Sequence, residues 1–223
     1  MVFVVFCSNT AIIILSNLLG GDIMAKEDLR VIKTNAIIHE AFLECLEELG
    51  FLGMSVTNIT EKALINRSTF YKHYQDKYDL RDRYVDSVIA HFVSNLDTDF
   101  VAFSEITDES YFQKLRMNLA AFQGKKREYL ILWNHNLQER NVYEEMIFAG
   151  AKKLENVFEN DPTISEKKKP LFSFYAVSFI SRMMVSIRWW FTEGAWMDID
   201  DFTHLMIQHM GKSLHATLKN NES

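Results

Sequence analysis

Helix breakers are scarce in this chain: two prolines and eight glycines in 223 residues. No long run alternates apolar and polar side chains either. Together these exclude a strand-rich domain and predict an all-α fold of about nine helices. Cysteine is scarcer still. Cys7 and Cys45 cannot form a disulfide framework and have no metal-ligand spacing, so a reducing cytoplasm is the expected compartment. There is no glycine-rich phosphate loop, no serine nucleophile elbow and no CxxC pair, so no enzyme and no cofactor is expected. Excess positive charge is missing too: the net charge is −6. That argues mildly against nucleic acid as a partner, although a local basic patch on a dimer suffices for it. What is abundant is apolar side chain, 48% of the residues, ample for a sizeable core.

Residues 1–23 differ from the rest. They hold no Lys or Arg, and the apolar runs Val2–Cys7 and Ala11–Leu19 are split by Ser8, Asn9 and Thr10. They lack the basic start of a signal peptide and the roughly 20 unbroken apolar residues of a membrane helix. Met24 opens a polar stretch, Met24–Arg30, so the expectation is that Met24 initiates the protein and 1–23 is an upstream or disordered extension, with a membrane tether as the alternative.

Three stretches make up the chain beyond Met24. A first helix spans about 29–49, with Ile38, Ala41, Phe42, Cys45, Leu46 and Leu49 as its inward stripe and Glu40, Glu44, Glu47 and Glu48 as a solvated face. Gly50 ends it. After residue 96 the period fails, acidic and small residues gather, and a domain boundary is placed there: 24–96, then 97–223. Beyond it five helices are expected, at about 109–123, 126–138, 141–160, 170–194 and 198–219, with an exposed loop at 161–169. The helix from Pro170 is apolar nearly all round, but Arg182, Arg188 and four serines argue for burial against protein rather than lipid.

Between them lie Ser55–Leu80 and a helix from about Lys77 to Leu96, whose Leu80, Tyr84, Val88 and Phe92 keep a 3.6-residue period. Ser55 is placed to cap a short helix whose Val56, Ile59 and Ala63 share one face. Leu64, Ile65 and Asn66 form a turn. A second short helix, Arg67–Tyr74, turns Phe70 and Tyr74 inward and presents Arg67, Ser68, Thr69, Tyr71, Lys72 and His73 outward. Such a polar, cationic helix suits a DNA major groove. Two short amphipathic helices around a turn also occur in many other helical domains.

The run Thr69–Leu80 resembles the recognition helix of TetR-family transcriptional regulators, T-[FL]-Y-x-[HY]-F followed by x-x-K-x-x-L, through Thr69, Phe70, Tyr71, His73, Tyr74, Lys77 and Leu80. Arg188-Trp189-Trp190 followed by Gly194 resembles a feature of the Firmicutes branch of that family. The family often has Gly where this chain has Leu64, and Ser where it has Asn66. The resemblance implies a helix-turn-helix domain followed by a helical effector-binding and dimerisation domain. It implies double-stranded operator DNA as partner, a homodimer joined through the last two helices, and repression relieved by a small molecule. Ser55, Thr57, Tyr71, Lys72, His73 and Lys77 would hold DNA backbone, Thr57 within reach of a base as well. Arg67, Ser68 and Thr69 would read bases. A TetR-like co-regulator that grips another protein is the alternative, and no membrane is implied.

Two weaker expectations concern the second half. Met117, Asn118, Phe122, Trp133, Asn134, His135, Phe174, Tyr175, Phe179 and Met183 are candidate pocket residues, or else ordinary core. Arg188, Trp189 and Trp190 are candidates for the dimer interface, with Arg188 paired to a C-terminal acidic group such as Glu193 or Asp198, within the subunit or across the interface. His135, His204, His209 and His215 lack ligand spacing, so no metal is expected.

Overall fold

In the computed structural model, residues 23–98, 109–159 and 171–219 are described, without the side chains of 23–28, Phe158 and 210–219. The expectations for 1–22, the centre of the 97–109 boundary and the 161–169 loop lie outside them. The described residues form nine helices and no strand: α1 Ile23–Gly53, α2 Val56–Lys62, α3 Arg67–His73, α4 Lys77–Asn95, α5 Glu109–Gly124, α6 Lys126–Asn134, α7 Val142–Glu159, α8 Phe172–Thr192 and α9 Ile199–Lys219.

The head is α1–α3 and the start of α4. The α1 stripe is buried as its period requires, except Leu49, which is 45% exposed. Leu49 sits where the helix ends, just before Gly50 leaves helical geometry (φ 66°, ψ 164°), a conformation essentially open only to glycine. Phe42, Phe51, Met54, Ile59 and Phe70 fill the head's interior. The glutamate face of α1 is not merely solvated, as expected, but paired: Lys62 meets Glu44 and Glu48, and Arg127 meets Glu40 and Glu47.

The body is α5–α9, joined to the head by α4. α7 and α8 pack along each other, and α4 packs on α7. Gly150 of α7 lets this happen: a Cβ there would come within 3.1 Å of the Phe92 ring and 3.2 Å of Ile180. Nine buried residues of α8, Phe172 to Phe191, form the body's centre. α6 stops at Asn134, earlier than its apolar run suggests. His135 is extended (φ −105°, ψ 140°), Asn136 accepts from the Gln138 amide, and buried Leu137 continues the apolar period without the helix.

Candidate nucleic-acid interface

Local chemistry fixes the two short helices. Ser55 caps α2 through a reciprocal box: its Oγ accepts from the Asn58 amide (3.3 Å) while the Asn58 side chain accepts from the Ser55 amide (2.9 Å) and hydroxyl (2.6 Å). Thr57 is half-buried, and its carbonyl accepts from Thr60 Oγ1. The turn is achieved at a cost, since Leu64 lies in the left-handed region (φ 53°) where the family often places glycine. Asn66 occupies the N-cap of α3, but its side chain makes no capping bond; only its carbonyl serves, accepting from Thr69 and Phe70.

α3 turns Phe70 into the core, followed at its C-cap by Tyr74. Arg67, Ser68, Tyr71 and Lys72 are exposed on its outer side, with Thr69 and His73 half-buried. Arg67 Nη2 donates to the Tyr71 hydroxyl (3.3 Å), one turn on. The result is a short helix anchored by two aromatics and displaying a guanidinium, an ammonium and two hydroxyls. These are the groups that reach phosphate oxygens and guanine edges.

Lys77 departs from expectation. Its ammonium donates to the carbonyls of Phe51 (3.0 Å), Leu52 (3.4 Å) and Met54 (2.8 Å), at the C-terminal end of α1 past its Gly50 kink. An ammonium has three hydrogens, so Lys77 is committed inside the head and is not free to hold phosphate as it stands. Asp76 caps α4 through the amides of Tyr78 and Asp79 (both 2.8 Å). One turn later Arg81 is buried against the Phe51 and Tyr78 rings and donates to the Leu137 carbonyl of the body (3.1 Å). Arg140 answers from the body, bridging Asp82, Asp86 and Glu145; the Glu145 and Asp86 carboxylates hold its guanidinium still more firmly charged. The part of each arginine in joining α4 to the body is not visible in sequence, because the partners it reaches there, Leu137 for Arg81 and Asp82 and Asp86 for Arg140, lie more than 50 residues away.

Four of the expected pocket residues come together. Asn118, Phe122, Phe179 and Met183 line an internal cleft of about 40 Å³, with Leu115 and Ile187. The others are elsewhere. Met117 is 70% exposed and Phe174 66% exposed. Tyr175 is half-buried and absent from the cleft wall. Trp133 is core, stacked between Tyr129 and Phe191, its indole N–H against Met146 Sδ. His135 and Asn134 line a groove on the outer side of α6, where His135 Nδ1 lies 2.8 Å from the Ile131 carbonyl.

Within the subunit the Arg188 pairing differs from expectation. Its guanidinium donates to Asn134 Oδ1 (2.8 Å) and lies over the Tyr143 ring, not against Glu193 or Asp198 of its own chain, because its position on α8 faces α6 and α7. Trp190 is core: it stacks on Phe202 and donates to the Met197 carbonyl. Trp189 remains 39% exposed, beside Gly194, where an added Cβ would come within 2.7 Å of its ring. Among the described residues no group of His, Cys, Asp or Glu could hold a metal ion, and no helix is long and apolar enough to cross a membrane.

No family model matches the chain. An uncharacterised HTH-type transcriptional regulator of Bacillus subtilis strain 168, YxbF, is 25% identical over 159 residues, 71% of this chain. The match spans only 40% of that relative's length. Two solved structures share the fold. One is the dihydroxyacetone kinase operon activator DhaS (TM-score 0.54, 18% identity, 86% of this chain and 99% of that one). The other is described as a TetR-family transcriptional regulator from Syntrophomonas wolfei strain Goettingen (TM-score 0.57, 15% identity, 85% and 98%). All three are described as regulators of transcription, not enzymes.

Proposed function

We propose that this chain, which has the fold of the TetR-family regulators, is a transcriptional regulator that binds a pseudo-palindromic DNA operator as a homodimer. The observation that carries the reading is α3: Phe70, with Tyr74 just after it, fixes the helix to the core while Arg67, Ser68, Tyr71 and Lys72 are left outward. Each subunit lays α3 in a major groove, the two about one helical turn apart, roughly 34–36 Å. Arg67, Ser68 and Thr69 read bases at its N-terminal end. Tyr71, Lys72 and His73 hold phosphates, with Ser55 and Thr57 at the start of α2.

Repression is the mode favoured here, with release when a small apolar effector widens the cleft at Asn118, Phe122, Phe179 and Met183 and shifts the heads. An effector does this only by binding one head arrangement more tightly than the other. DhaS is described as an activator, so the same fold serves the opposite sign as well, and action chiefly through another protein is the second reading.

Selection of bound sequences from random duplexes tests the reading. A two-fold symmetric site should emerge, and Arg67→Ala should flatten one base pair in each half-site, losing about 1–3 kcal/mol of discrimination there. Failure to enrich any sequence would leave the protein-binding reading in its place. Equal loss on all sequences would make Arg67 a phosphate clamp.

A further inference from the structure

We propose that Arg127 is the strap that sets the angle of the DNA-reading head against the body, and thereby the half-site spacing the dimer accepts; the spacing part rests on the function proposed above. Glu40 and Glu47 stand two turns apart on one side of α1, about 10.5 Å of helix rise. Arg127, in the first turn of α6, closes that interval with one guanidinium: Nη1 donates to Glu40 and Nη2 to Glu47, the latter at 2.8 Å. Both carboxylates favour the charged guanidinium further. Only a planar fork offers two separated donors on one rigid group; an ammonium is a point charge.

What surrounds the strap gives it its role. α6 is the body helix that runs beside α1, yet the two are not sealed together. On one side of Arg127 a groove of about 390 Å³ opens, walled by His39, Tyr84, Lys125 and Glu128. On the other a groove of about 550 Å³ opens, walled by Gln123, Lys126 and Leu130. Gly124 and Arg127 belong to both walls. Between these grooves the Arg127 side chain joins α1 to α6, beside the few places where the two helices touch. The other ties run through α4: Arg81 donates to the Leu137 carbonyl, Arg140 meets Asp82 and Asp86, and the Tyr84 hydroxyl donates to Glu128. They hold the α4 stem, whereas Arg127 grips α1 itself, farther out on the head. Arg127 is thus a positioning residue: it need not touch DNA, and its loss need not unfold either part, since both its carboxylates and its own side chain are half-open to solvent.

The test reads head angle and spacing separately. Nitroxides are placed at Glu61→Cys on α2 and Ala120→Cys on α5, both exposed. The background is Cys7→Ser; Cys45 is buried, and burial pushes its thiol up to about 11, so it stays unlabelled. The intrachain distance distribution is measured by pulsed electron resonance on full chain diluted with unlabelled protein. Wild type should give one narrow distance. Arg127→Gln and Arg127→Lys should both broaden it, and the triple exchange Glu40→Arg, Glu47→Arg, Arg127→Glu should restore it. On operators of graded spacing, Arg127→Gln should lose about fivefold of the preference for the best spacing while reading the same half-site sequence. A distribution as narrow in Arg127→Gln as in wild type overturns the strap. So does a uniform loss of affinity at every spacing with the distances unchanged. A broadened distribution in a protein that binds no duplex would uphold the strap and sink the function proposed above.

Discussion

Leu64 is the residue whose conformation and chemistry disagree most. It carries a branched side chain at φ 53° and is 92% exposed, so it contributes no burial in return for its strain. A left-handed backbone costs such a residue about 1–2 kcal/mol, and glycine in its place would lose roughly 0.5–1 kcal/mol more chain entropy on folding. Leu64→Gly should therefore stabilise the protein by about 0.5–1 kcal/mol in urea unfolding, whereas Leu64→Ala should gain nothing. A Gly variant no more stable than wild type would mean that the turn carries no strain. His39 makes a second prediction of this size. It is hydrogen-bonded to the Tyr74 hydroxyl (2.9 Å), and burial brings its pKa down from 6.5 to about 4, against the opposing pull of Glu128. A folded value below the unfolded one means that, between those pH values, the unfolded chain binds the proton and the folded chain does not. Stability should be level above pH 7 and fall as pH drops from about 6.5 toward 4, by about 3 kcal/mol at most. His39→Gln should flatten that part of the profile; an unchanged slope would place the acid sensitivity elsewhere.

Among the elements, the start of α4 does most to hold the head together. Lys77 satisfies carbonyls at the C-terminal end of α1, past the Gly50 kink, and Arg81 reaches the body from the next turn. Lys77→Gln should lower stability by about 1–3 kcal/mol, the cost of stranding those carbonyls. The salt dependence of DNA affinity should stay as in wild type. Lys72→Gln should do the reverse: little change in stability, and a slope of log K against log salt reduced by about 1.8 for two copies in a dimer. A reduced slope for Lys77→Gln would show that DNA draws its ammonium away from α1. The contrast also shows what sequence could reveal. Helix positions and their buried stripes were legible because they repeat every three or four residues within one element: Ile38, Phe42 and Leu46, or Leu80, Tyr84 and Val88. The fit of Lys77 to a family pattern was legible as well, but not that its three hydrogens are taken from within. Arg127 lies 80 and 87 residues from its carboxylates. No local period encodes such a pair, so Glu40 and Glu47 looked merely solvated. The candidate pocket was legible only in part, for a related reason. Aromatic content marks Trp133 and Phe174 equally, yet one lies inside three aromatic neighbours and the other faces out.

At the scale of the molecule, the outward side of α8 decides whether one chain is enough. Leu171, Phe174, Ser178, Val185 and Trp189 follow one another at steps of three, four or seven residues, which places them within about one third of the helix circumference. The opposite side of the same helix is the body's core, yet on this side Phe174 is 66% and Val185 59% exposed. Scattered exposed apolar residues need no explanation, but four on one side of the most apolar helix, interrupted only by Ser178 and Arg182, do. A second copy of α8 against the first would cover it, and the same arrangement would supply the second α3 that the proposed two-fold operator requires. Trp190, placed at the interface by sequence, is not part of this face; its neighbour Trp189 is. Each Phe174 buried in a symmetric contact contributes about 2 kcal/mol, and the contact holds two copies. Phe174→Glu should therefore weaken dimerisation by at least about 4 kcal/mol, roughly a thousandfold in Kd. Sedimentation at micromolar concentration should show wild-type dimers and variant monomers with unchanged helix content. The monomer should keep half-site base preference while losing the dependence on half-site spacing. A Phe174→Glu protein that still sediments as a dimer would move the interface off this face of α8.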